Sequence, residues 1–503
     1  MSASFNETVL DSWAAFQQSP LALPAATVGV GILMTLAYPT LFSSKKSTDI
    51  RELGGLSILT AWPFFSRRHD FLKEHFATSG ENMFTFKVLH HAVTAMKGEE
   101  ARKAFFDTKS LNFTEGYKIL MGAAPRLTDV DKSAQQPEEV SWFNKQLSIL
   151  MNKKRLSDVI PTLFDDVQAR MDGWGKEGRM DPFKDIYDLV FQMTVRMATC
   201  RELASDIEEI KRLQADYWTL EKSATPTALL LPWFPSKAKR DKEAATKDLF
   251  MKLYGYVELR RAADVPSADA IDLLLAEGLS TEHIVGFILN VIFAGVVNTG
   301  INSCWALLFL SYNKEWKEKV TAEVNALVET HTNSTSDEPL HKRLAAIPIS
   351  VWEDEMPVMD TVIRETIRLV VNGAALRRNL DDDLHVSSKI IPKGNFVAYQ
   401  VSDAHFNPDI YTNPMEFDPR RFGPGREEDK KQTFAYLGWG AGMKVAKLEI
   451  KIIVALFLAG YEYDVVDSAG NFPKSLPKPD YNDIQQARPV GDPCFIQFKR
   501  VVE

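Results

Sequence analysis

Residues 353–370 read EDEMPVMDTVIRETIRLV, and residues 401–425 read VSDAHFNPDIYTNPMEFDPRRFGPG. In the first stretch apolar residues recur at helical spacing, and Glu365 and Arg368 stand at i and i+3, where they share a face and can pair. Alone, such a pair is ordinary surface chemistry. Its company gives it weight: FDPRRFGPG follows, with Arg421 two places beyond Pro419, and then comes YLGWGAGMKVAKLE at 436–449, a loop running straight into a helix.

The chain around these stretches is mostly helical in pattern. VSWFNKQLSILMNKKRLSDVIPTLFDDVQARMDGW, DIYDLVFQMTVRMATCREL and AKLEIKIIVALFLAGYEY all carry the helical period. Strand-like pieces are few and short: MFTFKVL, NFVAYQV and CFIQFKRV. This balance predicts a mainly α fold with small β-sheets at its edge. From Thr281 the run TEHIVGFILNVIFAGVVNTGINSCWALLFLSYN is apolar on nearly every face, with Ser280 or Thr281 placed to cap it. Asn290, Asn298, Thr299 and Asn302 interrupt it, which favours a buried central helix over a membrane span.

The 503 residues are 45% hydrophobic and 25% charged, enough for a large core. Net charge is -8 and no basic stripe alternates with aromatics, so nucleic acid is not an expected partner. Cys200, Cys304 and Cys494 are widely separated and pair with no nearby Cys or His, which argues for buried thiols over a disulfide framework or a zinc site.

Leu21 to Phe42 carries no charge for about 22 residues, long enough to cross a bilayer. Glu7 and Asp11 precede it and Lys45, Lys46 and Arg51 follow, so the positive-inside rule puts the bulk of the chain in the cytosol. The expected division is a short lumenal tail at 1–20, an anchor at 21–42 and a single domain at 43–503. Asn6-Glu7-Thr8 would then be a lumenal glycosylation acceptor. A second segment, ALLLPWFPSKAKR, combines Leu229, Leu230, Leu231, Trp233 and Phe234 with Lys237, Lys239 and Arg240; it suits either a membrane surface or a loop packed on the body.

The ordered set Glu365-x-x-Arg368, FDPRRFGPG and the loop–helix junction resembles the cytochrome P450 family, of the membrane-anchored microsomal type. The resemblance implies a cytochrome P450 fold preceded by one transmembrane helix. It also implies haem b, electrons from NADPH through a reductase, a hydrophobic substrate such as a lipid, sterol or terpenoid of secondary metabolism, and a single-pass location in the endoplasmic reticulum membrane with the body cytosolic. Glu365, Arg368 and Arg421 would be the structural triad beneath the haem. Arg377, Arg378 and His405 would lie on the propionate side, and Gly440 and Gly442 in the haem loop.

Three departures accompany the resemblance. The family loop reads FxxGxRxCxGxxxAxxE, and Trp439-Gly-Ala-Gly442 matches its first four positions. Gly442 also fits the later glycine, because Ala446 and Glu449 follow it in step, so the stretch xRxCxG, with the cysteine that ligates iron, is missing between Gly442 and Met443. Only Met443 or Lys444 remains in the loop as a substitute ligand, and no metal ligand is assigned. The family's W-x-x-x-R becomes Trp142-Phe-Asn-Lys-Gln146, with Lys145 as partial compensation. On the central helix the acid–threonine pair becomes Asn298-Thr299, the candidate catalytic positions, which either face the reacting group or satisfy each other in a helix bend; asparagine there is similar to the bile-acid and prostacyclin branch.

Two readings of the gap stay open. In one, a gene-model or splice error removed the loop from a monooxygenase. In the other, the deletion is real and the protein is a haem-free or haem-impaired member, acting as an apolar-ligand binder or a non-oxidative isomerase or cyclase. A third reading, an unrelated helical protein with chance motifs, requires that the Glu365 helix and the Arg421 segment not touch.

Overall fold

The computed structural model describes residues 49–120, 140–231, 233–332, 337–439, 442–483 and 486–502. The anchor at 21–42, the glycosylation acceptor and Gly440 lie outside them.

The apolar run from Thr281 forms one helix, Thr281–Tyr312, with Ser280 as its cap: Ser280 Oγ accepts from His283 N–H at 3.4 Å. It is the one helix among the described residues long and apolar enough to cross a membrane, yet 61% of its most apolar window is buried inside the molecule. Pro182–Ala198, Lys237–Arg261, Pro357–Val370 and Met443–Gly460 pack around it, which explains why it can be apolar on every side.

Several expected helices are shorter than their periodicity suggested, each for a local reason. The long run from Val140 divides into Val140–Leu150 and Lys153–Asp172, because Asn152 caps the second helix through Arg155 N–H at 2.9 Å. The run from Glu353 divides at Pro357, which lacks an N–H and opens the helix Pro357–Val370. The helix expected to end near Tyr463 stops at Gly460, and Tyr461–Val466 is a strand.

The three expected strands are present as Met83–Val88, Phe396–Gln400 and Phe495–Arg500. A six-stranded sheet runs in the order Arg51–Glu52, Met83–Val88, His91–Met96, Phe396–Gln400, Ala374–Asn379, Leu111–Asn112. Within it His91–Met96 and Phe396–Gln400 are parallel, with Val93 opposite Phe396, and Phe396–Gln400 and Ala374–Asn379 are antiparallel, with Leu376 opposite Ala398. A three-stranded sheet joins Tyr461–Val466, Phe495–Arg500 and Glu177–Met180. The main core surrounds the central helix, and a second apolar cluster of Phe64, Phe71, Phe84, Phe86 and their neighbours fills the space under the six-stranded sheet.

Candidate functional site

Glu365, Arg368 and Arg421 form one cluster with 0% exposure at each. Arg368 grips the Glu365 carboxylate with both prongs, Nε to Oε2 and Nη2 to Oε1, each at 2.8 Å. Arg421 Nε donates to Glu365 Oε1 at 3.0 Å, and the Asp418 N–H adds a fourth bond at 2.9 Å. The remaining guanidinium N–H groups end on chain carbonyls and on a second acid: Arg368 on His405 O at 2.6 Å and Pro414 O at 2.7 Å, Arg421 on Thr412 O at 2.9 Å, Glu416 O at 3.1 Å and the Glu428 carboxylate at 2.8 Å. Four buried charges, two acids against two arginines, are tolerable only when paired and hydrogen-bonded in this way. The helix around Glu365 and the irregular segment around Arg421 are therefore in direct contact, contrary to the chance-motif reading.

The segment leading to the gap rests on this cluster. His405 Nε2 accepts from the Leu437 N–H at 3.0 Å, and its ring stacks on Tyr436 with centroids 5.7 Å apart. Burial, aided by Arg368, pushes the imidazole down to about 3, so the ring is neutral. Gly438 is a place where only glycine fits: a Cβ would stand 2.3 Å from the Tyr436 hydroxyl oxygen and 2.7 Å from Ile367 on the Glu365 helix. Gly442, by contrast, has nothing within 4 Å of a Cβ and directly precedes the helix Met443–Gly460. Met443 and Lys444 at that helix start are exposed.

On the central helix one row is open. Between Ile284 and Ser311 the exposed residues are Asn290, Ala294 and Asn298, each four positions from the next. Asn298 does not pair with Thr299; its Nδ2 donates to Ala294 O at 3.2 Å. Thr299, 1% exposed, faces instead the carboxyl of Glu449 on Met443–Gly460. Burial pushes that carboxyl up to about 8, and the Thr299 hydroxyl offsets part of the rise although Thr299 Oγ1 and Glu449 Oε1 make no regular hydrogen bond.

The expected propionate-side arginines each make contacts of their own. Arg377 lies over the rings of Phe105 and Phe113, at 5.2 and 4.9 Å, with Nη1 on Leu376 O at 2.8 Å. Arg378 pairs with Glu115 at 2.9 Å. Glu115 and Phe113 belong to the helix Phe113–Leu120, whose Gly116 sits so close to the strand that a Cβ would be 2.5 Å from Arg377 Cα. Gln146 is 2% exposed and its Oε1 has no partner, while Lys145 turns outward to Glu277 at 3.4 Å.

Sequence reasoning gave two contributors no role in the site, Glu449 having been read only as a position of the loop pattern. Glu449 is an acid ahead of the apolar run IKIIVALFLAG, a contrast visible in the sequence. Arg102, 0% exposed, ties the chain just before the loop by donating to Thr433 O at 3.0 Å and Gln432 Oε1 at 2.7 Å; its place on the amphipathic helix Glu99–Asp107 gave no sign of this.

A buried acid and two arginines under a loop–helix junction, beside a central helix with one open row, make up the scaffold that the sequence resemblance implies. The comparisons with known proteins agree. The family model described as cytochrome P450 matches residues 54–481, and the chain belongs to the cytochrome P450 family. It is 28% identical over 505 residues to cytochrome P450 monooxygenase AacuE of Aspergillus aculeatus, covering 95% of this chain and 100% of that protein. It is 28% identical to monooxygenase nsrP of Aspergillus novofumigatus, covering 85% of this chain and 84% of that one. To a sterol 14-demethylase of Arabidopsis thaliana it is 24% identical, covering 87% and 92%. In fold it matches the retinoic-acid-bound cyanobacterial P450 CYP120A1 with a TM-score of 0.71 at 20% identity, covering 91% of this chain and 100% of that one.

The family implies haem, and in it the iron is held by a cysteine thiolate. The residues of this chain do not fit that bond. All three cysteines are buried, and burial pushes the Cys200 thiol up to about 12, the Cys494 thiol up to about 11 and the Cys304 thiol far above its ordinary range. Cys304 Sγ is already committed to Pro182 O at 3.1 Å. Residues 436–449 contain no cysteine.

Proposed function

We propose that this chain keeps the scaffold of a membrane-anchored P450 monooxygenase whose substrate is a hydrophobic small molecule of secondary metabolism, such as a lipid, sterol or terpenoid. The observation that carries the reading is the family match across residues 54–481, together with a fully satisfied Glu365–Arg368–Arg421 cluster. Oxidation depends on the stretch missing between Gly442 and Met443, which in the family supplies the thiolate. With that stretch in place, the protein would take haem b and draw electrons from NADPH through a reductase; without it, the protein holds an apolar ligand without oxidising it.

Location in the endoplasmic reticulum membrane, with the body on the cytosolic side, belongs to the same proposal. The uncharged run 21–42 supports it, and so does an exposed apolar face on the body of the chain. Leu230 packs into the apolar cluster of Ala61 and Phe64, which brings the helix Pro226–Leu230 beside Ser57–Ser66. On that second helix and just before it Leu56, Leu59 and Trp62 are 47%, 68% and 40% exposed, an apolar face with the basic residues Lys237 and Arg240 exposed nearby in sequence.

A paired spectrum tests the functional reading. The full chain as written, and a version with a family-type xRxCxG stretch inserted between Gly442 and Met443, are assayed for haem content and for the reduced carbon-monoxide difference spectrum. The expected result is little haem and no thiolate-type band for the first, and both for the second. A thiolate band from the chain as written would overturn the account of the gap. Failure of the inserted version to take up haem would overturn the monooxygenase scaffold and leave the second reading, a haem-free binder or isomerase, which the lack of a cysteine in residues 436–449 favours.

A further inference from the structure

A cavity of about 240 Å³ opens where the strand Arg51–Glu52 runs into the helix Ser57–Ser66. Glu52, Gly54, Gly55, Ser57, Thr60 and Lys87 line it, none of them on the central helix or at the loop–helix junction. The helix beside it starts without a cap. Leu56 at its N-cap offers no side-chain acceptor, and its first turn holds no acid. The N–H groups of Leu59 and Thr60 both end on Leu56 O at 3.0 Å, while those of Ser57 and Ile58 have no acceptor among the described residues. Unspent N–H groups at the positive end of a helix dipole attract an anion.

A second observation separates this start from an ordinary uncapped one. Ser57 is only 8% exposed and lines the cavity, yet its hydroxyl has no partner among the described residues. Thr60, the other hydroxyl on the wall, is committed: its Oγ1 donates to Leu56 O at 3.2 Å or Gly54 O at 3.3 Å. A buried hydroxyl without a partner costs free energy that a ligand oxygen would recover. Lys87 brings a cation to the same wall, where its Nζ pairs with Glu52 Oε1 at 3.2 Å. The Glu52 side chain is 54% exposed, so it can turn to solvent and yield Lys87 to a more highly charged anion.

The surroundings indicate which anion. Leu56, Leu59 and Trp62, at the start of the same helix, form the exposed apolar face described above, which suits acyl chains. The uncharged run ends at Phe42, nine residues before Arg51, a reach of at most about 32 Å. We propose that the cavity binds the phosphate of an anionic phospholipid: Ser57 and the helix N-terminus donate to its oxygens, Lys87 balances its charge, and the acyl chains lie along Leu59 and Trp62. The choice of a lipid over a free phosphate rests on the membrane location proposed above; the phosphate chemistry does not.

The test is equilibrium binding of three radiolabelled probes to the full chain in a non-ionic detergent: dioctanoyl phosphatidic acid, inorganic phosphate, and dioctanoylglycerol, which has the chains without the phosphate. The variants are Ser57→Ala, Lys87→Met and Glu52→Gln, each checked by a thermal melt. Partition into micelles is common to all of them, so ratios between variants report the protein. The unaltered chain should bind phosphatidic acid about tenfold more tightly than either other probe. Ser57→Ala and Lys87→Met should each weaken it by about five- to tenfold, and Glu52→Gln should tighten it, a gain that a merely structural role of the wall would not produce. If the three substitutions leave phosphatidic acid binding unchanged, or dioctanoylglycerol binds as tightly, the proposal is overturned. If inorganic phosphate binds as tightly and follows the same substitutions, the lipid assignment is overturned and the site is one for a free phosphate.

Discussion

Thr299 of the central helix and Glu449 of the helix Met443–Gly460 face each other inside the molecule, an alcohol against a carboxylic acid in an otherwise apolar interface. The acid is held protonated by its surroundings, since burial raises it from 4.5 to about 8. In the folded chain it therefore keeps a proton that the unfolded chain releases.

That difference makes stability fall as pH rises from about 4.5 to about 8, with a slope of up to about 1.4 kcal/mol per pH unit for the one proton. Glu221, pushed up to about 7 by burial, adds to the same limb. In Glu449→Gln the alkaline limb should flatten and the melting temperature at pH 8 should rise relative to the unaltered chain. Thermal melts from pH 5 to pH 8.5 would show it, and parallel curves for the two proteins would refute a buried neutral acid.

The acid side has the opposite sign. His405 is lowered from 6.5 to about 3, so the unfolded chain takes up a proton that the folded one refuses, and stability is lost as pH falls below about 6.5. His91, pushed down to about 4 mainly by burial, contributes as well. Replacing His405 by Gln should make the loss between pH 6.5 and 4 shallower without abolishing it, as read from urea midpoints at each pH.

Removing one partner of the Glu365 cluster strands buried charge. Arg421→Met should cost on the order of 3–5 kcal/mol and lower soluble yield, and Arg421→Lys should recover little, because an ammonium cannot reach Glu365, Glu428 and the chain carbonyls at once as the guanidinium fork does. Denaturant unfolding of both variants checks this. A loss below about 1 kcal/mol in Arg421→Met would place the cluster among weak surface pairs.

Gly116→Ala puts a methyl group against the backbone of Arg377, so the helix Phe113–Leu120 must shift away from the strand Ala374–Asn379. The expected cost is about 1–3 kcal/mol. Hydrogen exchange should quicken at residues 374–379 more than in the central helix.

What the sequence showed, and what it hid, follows the range of the forces involved. The central helix was legible because its apolar run is long and unbroken, and Glu365, Arg368 and Arg421 because their order is distinctive. The helix ends at Asn152, Pro357 and Gly460 were not, since periodicity continues across a single cap or proline. The engagement of Arg377 with Phe105 and Phe113, and of Arg378 with Glu115, needed the strand pairing that brings distant segments together. Likewise, nothing local to Asn298 indicates that its amide turns back to Ala294 and leaves Thr299 to Glu449.

The pairing of His91–Met96 with Phe396–Gln400 joins segments on either side of the helices from Glu99–Asp107 to Pro357–Val370, and Glu177–Met180 joins its sheet only through Phe495–Arg500. A nascent chain therefore pairs His91–Met96 early with Met83–Val88, but it waits for Phe396–Gln400 before that strand gains its second neighbour and for the last residues before Glu177–Met180 gains one. Such late closure slows folding and leaves strand edges open during synthesis. Premature termination anywhere upstream of residue 495 should thus yield a polypeptide that chaperones retain, because the finishing stitch of the smaller sheet is the C-terminal strand itself.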